Sequence, residues 1–283
     1  NLVEQNVFGI DDPLLQGLTA IDGTGEIGGG ETGSAIFTII PSRLAAPRED
    51  ATYVVTGELA YNDGTNRVEI PLQGEEISVR PQAELELDYY LQRNVYSDDS
   101  FTDEVEPSEP FALAVMVDNV GAGAANDLTI TSAQPEIIEN EKGLLIDFEI
   151  IGSSVNGAPA APTLTADFGD VAAGDREVAT WLMTSTQQGK FVDYEASFTH
   201  LNSLGIEELS LITETNIHEL VRLVKSDLPG EDDLTDFLIN ADAATDPSGL
   251  PDQLHTTDGG IFDVAQATGE TSDGPPLPGD LTV

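Results

Sequence analysis

Ala83-Glu84-Leu85-Glu86-Leu87-Asp88-Tyr89 is the stretch that decides the fold of this chain. Its odd positions are apolar or aromatic, and its even positions are acidic. A period of two places one side of an extended strand on a core and the other side in water. Phe111 to Val117 repeats the rhythm, with alanine as the outward partner. Both stretches therefore predict β-strands with one wet face.

Short stretches of the same kind recur along the chain at a spacing of roughly 8 to 15 residues. The pair Asp63-Gly64 suits a tight hairpin turn, and residues 169–174 have the composition of a loop between two strands. Many short strands at this spacing predict β-sandwiches rather than an α/β enzyme with crossover helices. The other predicted strands are 35–40, 52–61, 67–72, 77–80, 128–130, 144–151, 164–168, 178–183 and 191–200.

Residues 216–225 fit two kinds of structure. Apolar side chains at Ile217, Leu220, Val221 and Val224 have the spacing of one helix face. An alternating strand fits the same residues nearly as well. The sequence leaves this choice open.

The composition changes after Lys225, where Asp, Pro and Gly recur and apolar residues become few. We expect an all-β chain of tandem immunoglobulin-like sandwiches in three parts. A first sandwich or partial sandwich covers 1–82, a second and larger one covers 83–225, and an irregular acidic extension or linker covers 226–283. The absence of an initial Met favours a processed product or a fragment of a longer protein.

The charge of the chain restricts its surroundings. It has 52 Asp and Glu against 10 Lys and Arg, a formal net charge of -42 in 283 residues, and no cysteine. Such a charge repels phosphates, so we expect neither nucleic acid nor an anionic membrane as a partner. The surface is suited to abundant cations, which indicates either a halophilic setting or bound divalent metal. No apolar run approaches the length of about 18 residues that membrane insertion requires.

Two segments of the chain carry a resemblance to a known family. Residues 109–130 contain an apolar strand that runs into Asn119-Val120-Gly121, then a stretch of small residues and another strand. Residues 168–182 contain a strand, a glycine loop and an aromatic strand with Trp181. In these segments, and more broadly over 83–225, the chain resembles the immunoglobulin-like, adhesion-type (CARDB-like) β-sandwich modules of large bacterial or archaeal multidomain surface proteins. The resemblance implies a secreted or cell-surface location and brings no catalytic residues.

Clusters of acidic residues make Ca²⁺ the best-supported ligand, because carboxylate oxygens suit a hard cation. The alternative is that these are solvated loops in a chain whose loops are nearly all acidic. None of the clusters has the spacing of an EF-hand. A minor cluster is Asp11-Asp12. The predicted metal ligands are Asp98, Asp99, Asp103, Glu104 and Glu106 in one loop and Asp232, Asp233 and Asp236 in another.

Motifs for catalysis are missing from the sequence. The three histidines, at positions 200, 218 and 255, lack the spacing of a zinc site, and no nucleophile elbow or phosphate-binding loop is present. We expect His218 in a packed element and Trp181 in a sandwich core. Aromatic residues make up 6% of the chain, few for the sugar platforms of a glycosidase. The sequence therefore favours a protein that is not an enzyme.

Two functions remain after these exclusions. The leading hypothesis is a non-catalytic spacer or adhesion segment of an extracellular surface or matrix protein, stiffened by calcium. Its partners would be neighbouring modules of the same parent chain, copies of itself, or cell-surface or matrix components. The alternative is a self-assembling filament or surface-layer subunit, in which a strand such as residues 2–10 adds to the sheet edge of a neighbour.

Overall fold

The computed structural model describes residues 7–131, 147–190, 211–226, 232–242 and 249–265. These residues form strands and loops, with one 3-10 turn at Arg43–Ala45. The all-β prediction is therefore confirmed. No helix in these ranges has the length and apolar character needed to cross a bilayer. The chain divides into two compact units, Asn1–Gln82 and Ala83–Val283.

Short strands paired in twos make up the first unit. These strands are β1 (Phe8–Ile10), β2 (Leu14–Gln16), β3 (Ser34–Ile36), β4 (Ile39–Pro41), β5 (Ala51–Val55), β6 (Glu58–Asp63), β7 (Asn66–Pro71) and β8 (Glu75–Val79). The antiparallel pairs are β1 with β4, β2 with β3, β5 with β8 and β6 with β7. Among the described residues of this unit, the buried apolar side chains are Ala45 and Ala46. The unit therefore has little core of its own.

The hairpin predicted at Asp63-Gly64 is confirmed. Asp63 pairs with Asn66, which leaves Gly64 and Thr65 as a two-residue loop. Gly64 has a φ of 64°, and a positive φ at the first loop position is the type II′ arrangement, which glycine adopts without steric cost.

The second unit contains one large sheet and two small ladders. Its strands are β9 (Leu85–Leu91), β10 (Asn94–Val95), β11 (Phe111–Asn119), β12 (Ala125–Thr131), β13 (Phe148–Val155), β14 (Ala158–Ala160), β15 (Thr165–Val171), β16 (Arg176–Ser185), β17 (Gly189–Lys190), β18 (Ile212–Val224), β19 (Asp236–Asn240), β20 (Gln253–His255) and β21 (Ile261–Asp263). The large sheet has the order β14-β13-β16-β11-β9-β18-β19-β20-β21. Its pairs are antiparallel except β9 with β18, which run parallel.

One face of the large sheet packs against the β12–β15 ladder to form the main core. The alternating residues of β9 and β11 point into it, including Leu85, Leu87 and Val115. Trp181 is almost fully buried there, and its indole nitrogen donates to the Thr163 carbonyl at 2.7 Å. The prediction of Trp181 as a core residue is confirmed.

The other face of the sheet is covered because the sheet curls back over itself. Arg176 of β16 donates to the carbonyl of Asp258, beyond β20, at 2.8 Å. Five strand intervals lie between β16 and β20, which in a flat sheet would separate them by about 24 Å. A register shift between Leu220 and Arg222 of β18 marks a β-bulge, a feature that bends a strand and increases its twist. We call β19, β20 and β21 the return layer.

The return layer changes several expectations. Ala112 and Ala114 were expected to point outward, but they are buried because Phe237 and Leu220 pack with them in a second core. The helical alternative for 216–225 is wrong, since these residues lie in β18 apart from the last one. The predicted irregular extension, 226–283, contains β19 to β21 and so contributes three strands to the sheet.

Smaller differences concern where strands begin and end. Residues 169–171, expected in a loop, complete β15. The predicted strand 52–61 is divided into β5 and β6. The predicted strand 191–200 and the first part of 144–151 lie outside the described residues.

Asn119, at the end of β11, joins three segments of the second unit. Its side chain is fully buried. The Nδ2 group donates to the carbonyls of Gly123, Val171 and Ala172 at 2.9 to 3.0 Å, and Oδ1 accepts from the Glu84 amide at 3.3 Å. Removing this amide leaves buried backbone groups without a partner.

We expect Asn119→Ala to lower the free energy of unfolding by about 2 to 4 kcal/mol, because unsatisfied buried polar groups are costly. Asn126→Ala is the matched control, since Asn126 is exposed on β12 and its truncation should cost less than about 0.5 kcal/mol. Urea unfolding of both variants in the same high-salt buffer measures the difference. Equal costs would contradict the role given to Asn119.

Candidate functional site

The first acidic loop predicted to bind calcium is closed by its own hydrogen bonds. The amide of Asp99 donates to Glu106 Oε2 at 3.0 Å, and the amide of Glu106 donates to Asp98 Oδ1 at 3.2 Å. The hydrogen bond from the Asp99 amide lowers the pKa of the Glu106 carboxyl. The structure thus brings Asp98, Asp99 and Glu106 together around loop amides.

Residues of the second acidic cluster accept hydrogen bonds from loops next to the strands of the return layer. Asp236 is fully buried, and its carboxylate accepts hydrogen bonds from the Thr257 amide at 3.1 Å and from the amide and hydroxyl of Ser226 at 2.9 and 2.5 Å. The Thr257 hydroxyl lies 3.0 Å from both carboxylate oxygens of Asp232. Asp233 is exposed, with a φ of 63°. Asp232 and Asp236 therefore tie loops to strands.

Within the described ranges, no three His, Asp or Glu side chains form a group that would hold a metal ion. The remaining predicted ligands, Asp103 and Glu104, lie exposed on the first loop. A calcium site therefore stays a prediction from the sequence.

A different group of titratable residues comes together on the covered face of the sheet. We call Asp88, Tyr90, His218 and His255 the histidine cluster. Asp88 and Tyr90 alternate on β9, so both point to the face opposite Leu87. His218 of β18 pairs in register with Tyr90, and His255 reaches them from β20 because the sheet curls. Three strands thus contribute to one cluster.

Short contacts join the members of the histidine cluster. His218 Nε2 lies 2.8 Å from Asp88 Oδ1, and the Tyr90 hydroxyl lies 3.1 Å from His255 Nδ1. The two imidazole rings have centroids 4.9 Å apart at an interplanar angle of 70°. The ring of Tyr90 stacks on Phe237 of β19 at 3.9 Å. The cluster therefore belongs to the contact between β9 and the return layer.

The neighbours of His255 determine which of its nitrogens carries the proton in the neutral ring. Nε2 lies 3.4 Å from Gln253 Oε1, which is an acceptor. This contact assigns the proton to Nε2, so Nδ1 accepts the hydrogen bond of the Tyr90 hydroxyl.

Burial and charge shift the protonation of the cluster. Burial, followed by the charge of His218, lowers the pKa of His255. Burial alone would raise the pKa of Asp88, but hydrogen bonds from His218 and Asn216 and the charge of His218 outweigh it and lower that pKa. Burial raises the pKa of Tyr90. At neutral pH the cluster therefore holds an ionised Asp88, a neutral Tyr90 and a neutral His255.

Solvent access limits what this arrangement does chemically. Tyr90 is 0% exposed and His255 is 7% exposed, so neither presents a nitrogen or oxygen to a substrate. Asp88 and His218 are about one fifth exposed as side chains and are already paired with each other. The geometry fits packing of strands rather than acid–base catalysis.

Sequence reasoning expected His218 in a packed element but missed the cluster. Its members lie up to 167 positions apart, between Asp88 and His255, so local spacing carries no sign of it. One signal was present. Ala112 and Ala114 are uncharged, whereas the water-facing positions of 83–89 are acidic. We interpreted these alanines as facing water, and so missed this sign of a second covered face.

Comparison with known proteins adds no relative to this picture. The chain matches no protein-family model, no curated protein and no solved structure.

We expect Phe237→Ala to lower the free energy of unfolding by about 3 to 5 kcal/mol, because it removes a fully buried ring that stacks on Tyr90. The matched control is Phe262→Ala on β21, where the residue is 45% exposed and the cost should be far smaller. Chemical denaturation measures both. If the two variants unfold alike, the return layer is not part of the core.

Proposed function

We propose that this chain is a non-catalytic structural segment of an extracellular surface or matrix protein, acting as a spacer or adhesion module. The net charge of -42 supports an exterior setting in which cations are abundant. The resemblance of residues 109–130 and 168–182 to immunoglobulin-like surface modules supports the same role. The observation that carries the proposal is the parallel pairing of β9, the first strand of the second unit, with β18.

Strand β9 opens the second unit and pairs in parallel with β18, from Ile212 opposite Leu85 to Glu219 opposite Leu91. Strands β19 to β21 follow β18 in sequence and pair antiparallel, so tension between the chain ends separates them first. It then acts on the start of β9 and the end of β18, along both strands. All hydrogen bonds between them are then loaded together, whereas an antiparallel hairpin loaded at its open end separates one pair at a time. Arg93 and Glu219, 3.1 Å apart, add an ion pair at the end of this contact. Such an arrangement suits a segment that transmits load.

Buried polar groups of the second unit support the same interpretation, because they join distant segments. The hydroxyl of Ser97 donates to the Ser185 carbonyl at 2.7 Å. Asn119 and Asp236 each bind backbone groups of other elements. These side chains are used for cohesion, as a spacer requires.

Pulling on the ends of the full chain in a force spectrometer tests the load-bearing role. Ile217→Pro removes a backbone N–H from β18 within the parallel pair at a position whose side chain is 41% exposed. We expect this variant to lower the main unfolding force clearly. Ile261→Pro on the edge strand β21 is the matched control and should leave that force nearly unchanged. If the unmodified chain unfolds at a force as low as that of Ile217→Pro, the parallel pair bears no load and the proposal loses its basis.

Calcium stiffening is part of the proposal, supported by the density of carboxylates in loops such as 98–106. We expect Ca²⁺ to raise the melting temperature by several degrees in low salt, because an ion that binds the folded state and not the unfolded state stabilises the fold. Calorimetry with Ca²⁺ and with chelator, at matched ionic strength, measures the shift. Coincident melting curves would exclude this part of the proposal.

Self-assembly is a second candidate function, favoured by the β6–β7 hairpin. Its register pairs Leu59 with Ile70 and Tyr61 with Val68 on one face, and three of these residues are 42 to 50% exposed. A two-stranded hairpin with an uncovered apolar face is marginal in water. The predicted route through residues 2–10 is partly taken, since β1 already pairs with β4, and residues 2–6 lie outside the described residues.

Light scattering across NaCl from about 0.1 to 2 M separates the two functions, because salt screens the repulsion between acidic copies. A spacer stays monomeric throughout. An assembling subunit grows in mass at high salt, and Leu59→Asn then abolishes the growth while Ala60→Asn, on the opposite face of β6, leaves it intact. Growth that neither variant affects would exclude the hairpin as the contact.

A further inference from the structure

The return layer is held on the sheet by an apolar core and by a few polar contacts. The core residues include Tyr90, Met116, Leu220 and Phe237. At one end of the contact, Arg176 binds both the Asp258 carbonyl and the Asp118 carboxylate, which lies 2.5 Å from Arg176 Nη2. The histidine cluster lies within the contact, with His218 on β18 and His255 on β20.

Imidazole is the side chain whose charge ordinarily changes between pH 5 and 8, so His255, on strand β20 of the return layer, is where moderate acid acts on this contact. The charged or titratable groups that face the two histidines have to be weighed with them. Asp236 is not one of these, because alternation places it on the face of β19 opposite Phe237. The charged or titratable groups on the face of the histidines are Glu86, Asp88 and Tyr90 of β9, Glu214 of β18 and Asp118 of β11, with Arg176 of β16 and Asp258 beyond β20 at the end of the layer.

The cluster accommodates one imidazolium but not two. Asp88 lies 2.8 Å from His218 and compensates its charge when His218 is protonated. His255 has the Tyr90 hydroxyl and the Gln253 amide oxygen as partners, and neither carries a negative charge. A proton on His255 therefore places a second cation in a buried site, 4.9 Å from the ring of His218.

The direction of the pH effect follows from these neighbours. The pKa of His255 is lowered in the docked layer, first by burial and then by His218. An undocked layer exposes His255 to water and takes up the proton more readily. Docking is therefore at full strength above a pH of about 6.5 and weakens as the pH falls below that value.

We propose that His218 and His255 form an acid-released latch, which holds the return layer on the sheet at neutral pH and frees it in moderate acid. Release uncovers the apolar face that includes Ala112, Ala114 and Met116. The layer lies at one edge of the large sheet, beyond β18, so its release leaves the β12–β15 side of the sheet in place. This latch does not depend on the spacer function.

Hydrogen–deuterium exchange of the full chain tests the latch locally. A local readout is needed because acid also protonates carboxylates such as Glu86 and Glu177, whose pKa values are raised by burial, and this favours the folded state as the pH falls. We expect amides of β19 and β20 to be on the order of tenfold more open at pH 5 than at pH 7.5, after correction for intrinsic rates. Amides of β11 and β16 should keep their protection.

Variants identify the groups responsible. His255→Asn keeps a side-chain acceptor near the Tyr90 hydroxyl but cannot titrate, and it should abolish the pH difference in β19 and β20. Asn126→Ala, at an exposed position of β12, is the control and should leave the difference intact. His218→Asn retains His255 without its cationic neighbour and should move release to lower pH, so the proposal stays testable if His255→Asn does not fold.

Two results would overturn the latch. One is equal protection of β19 and β20 at pH 5 and pH 7.5 in the native chain. The other is a pH difference that persists unchanged in His255→Asn or, where that variant does not fold, in His218→Asn.

Discussion

Burial of β9 on both faces is the constraint on which the second unit depends. Leu85 and Leu87 enter the main core, while Tyr90 is enclosed by the return layer. Because side chains alternate, a slip of one residue along β11 or β18 would move Asp88 into the apolar main core and Leu87 out of it. The cost of that exchange fixes the register of β9, and the neighbouring strands take their positions from it.

The excess of negative charge bears on where the few basic side chains of the chain lie. With 52 acids and 10 bases, ion pairs neutralise a minority of the carboxylates, so most acids must lie on outward faces and in loops. Two arginines of the second unit, Arg93 and Arg176, occupy points where segments meet. Arg93 pairs with Glu219, and Arg176 joins β11 to the turn beyond β20. Replacing either with an acid would remove a contact and add repulsion to a surface already rich in negative charge.

Local patterns predicted the strands well but not the layers. The alternation at 83–89, the Asp63-Gly64 hairpin and the burial of Trp181 were all predictable, because each depends on neighbours in sequence or on residue type. The return layer depends on Phe237 and Leu220 meeting residues of β9 and β11 across the curl, and periodicity carries no information on such pairs. The sequence of β18 also fitted a helix, for a related reason. Its apolar residues serve two cores and a bulge, which disturbs a clean period of two.

The parallel pairing of β9 with β18 also has a consequence for biosynthesis. Leu85 meets Ile212, so β9 leaves the ribosome 127 residues before its partner, or roughly 6 to 25 s earlier at ordinary rates of translation. During that interval β11 occupies one edge of β9, and the other edge is open to any passing strand. Pairing across so long a separation also makes folding slow. The acidic residues Glu84, Glu86 and Asp88 along this strand would repel the equally acidic nascent chains nearest to it, and so protect the open edge until synthesis reaches Val224.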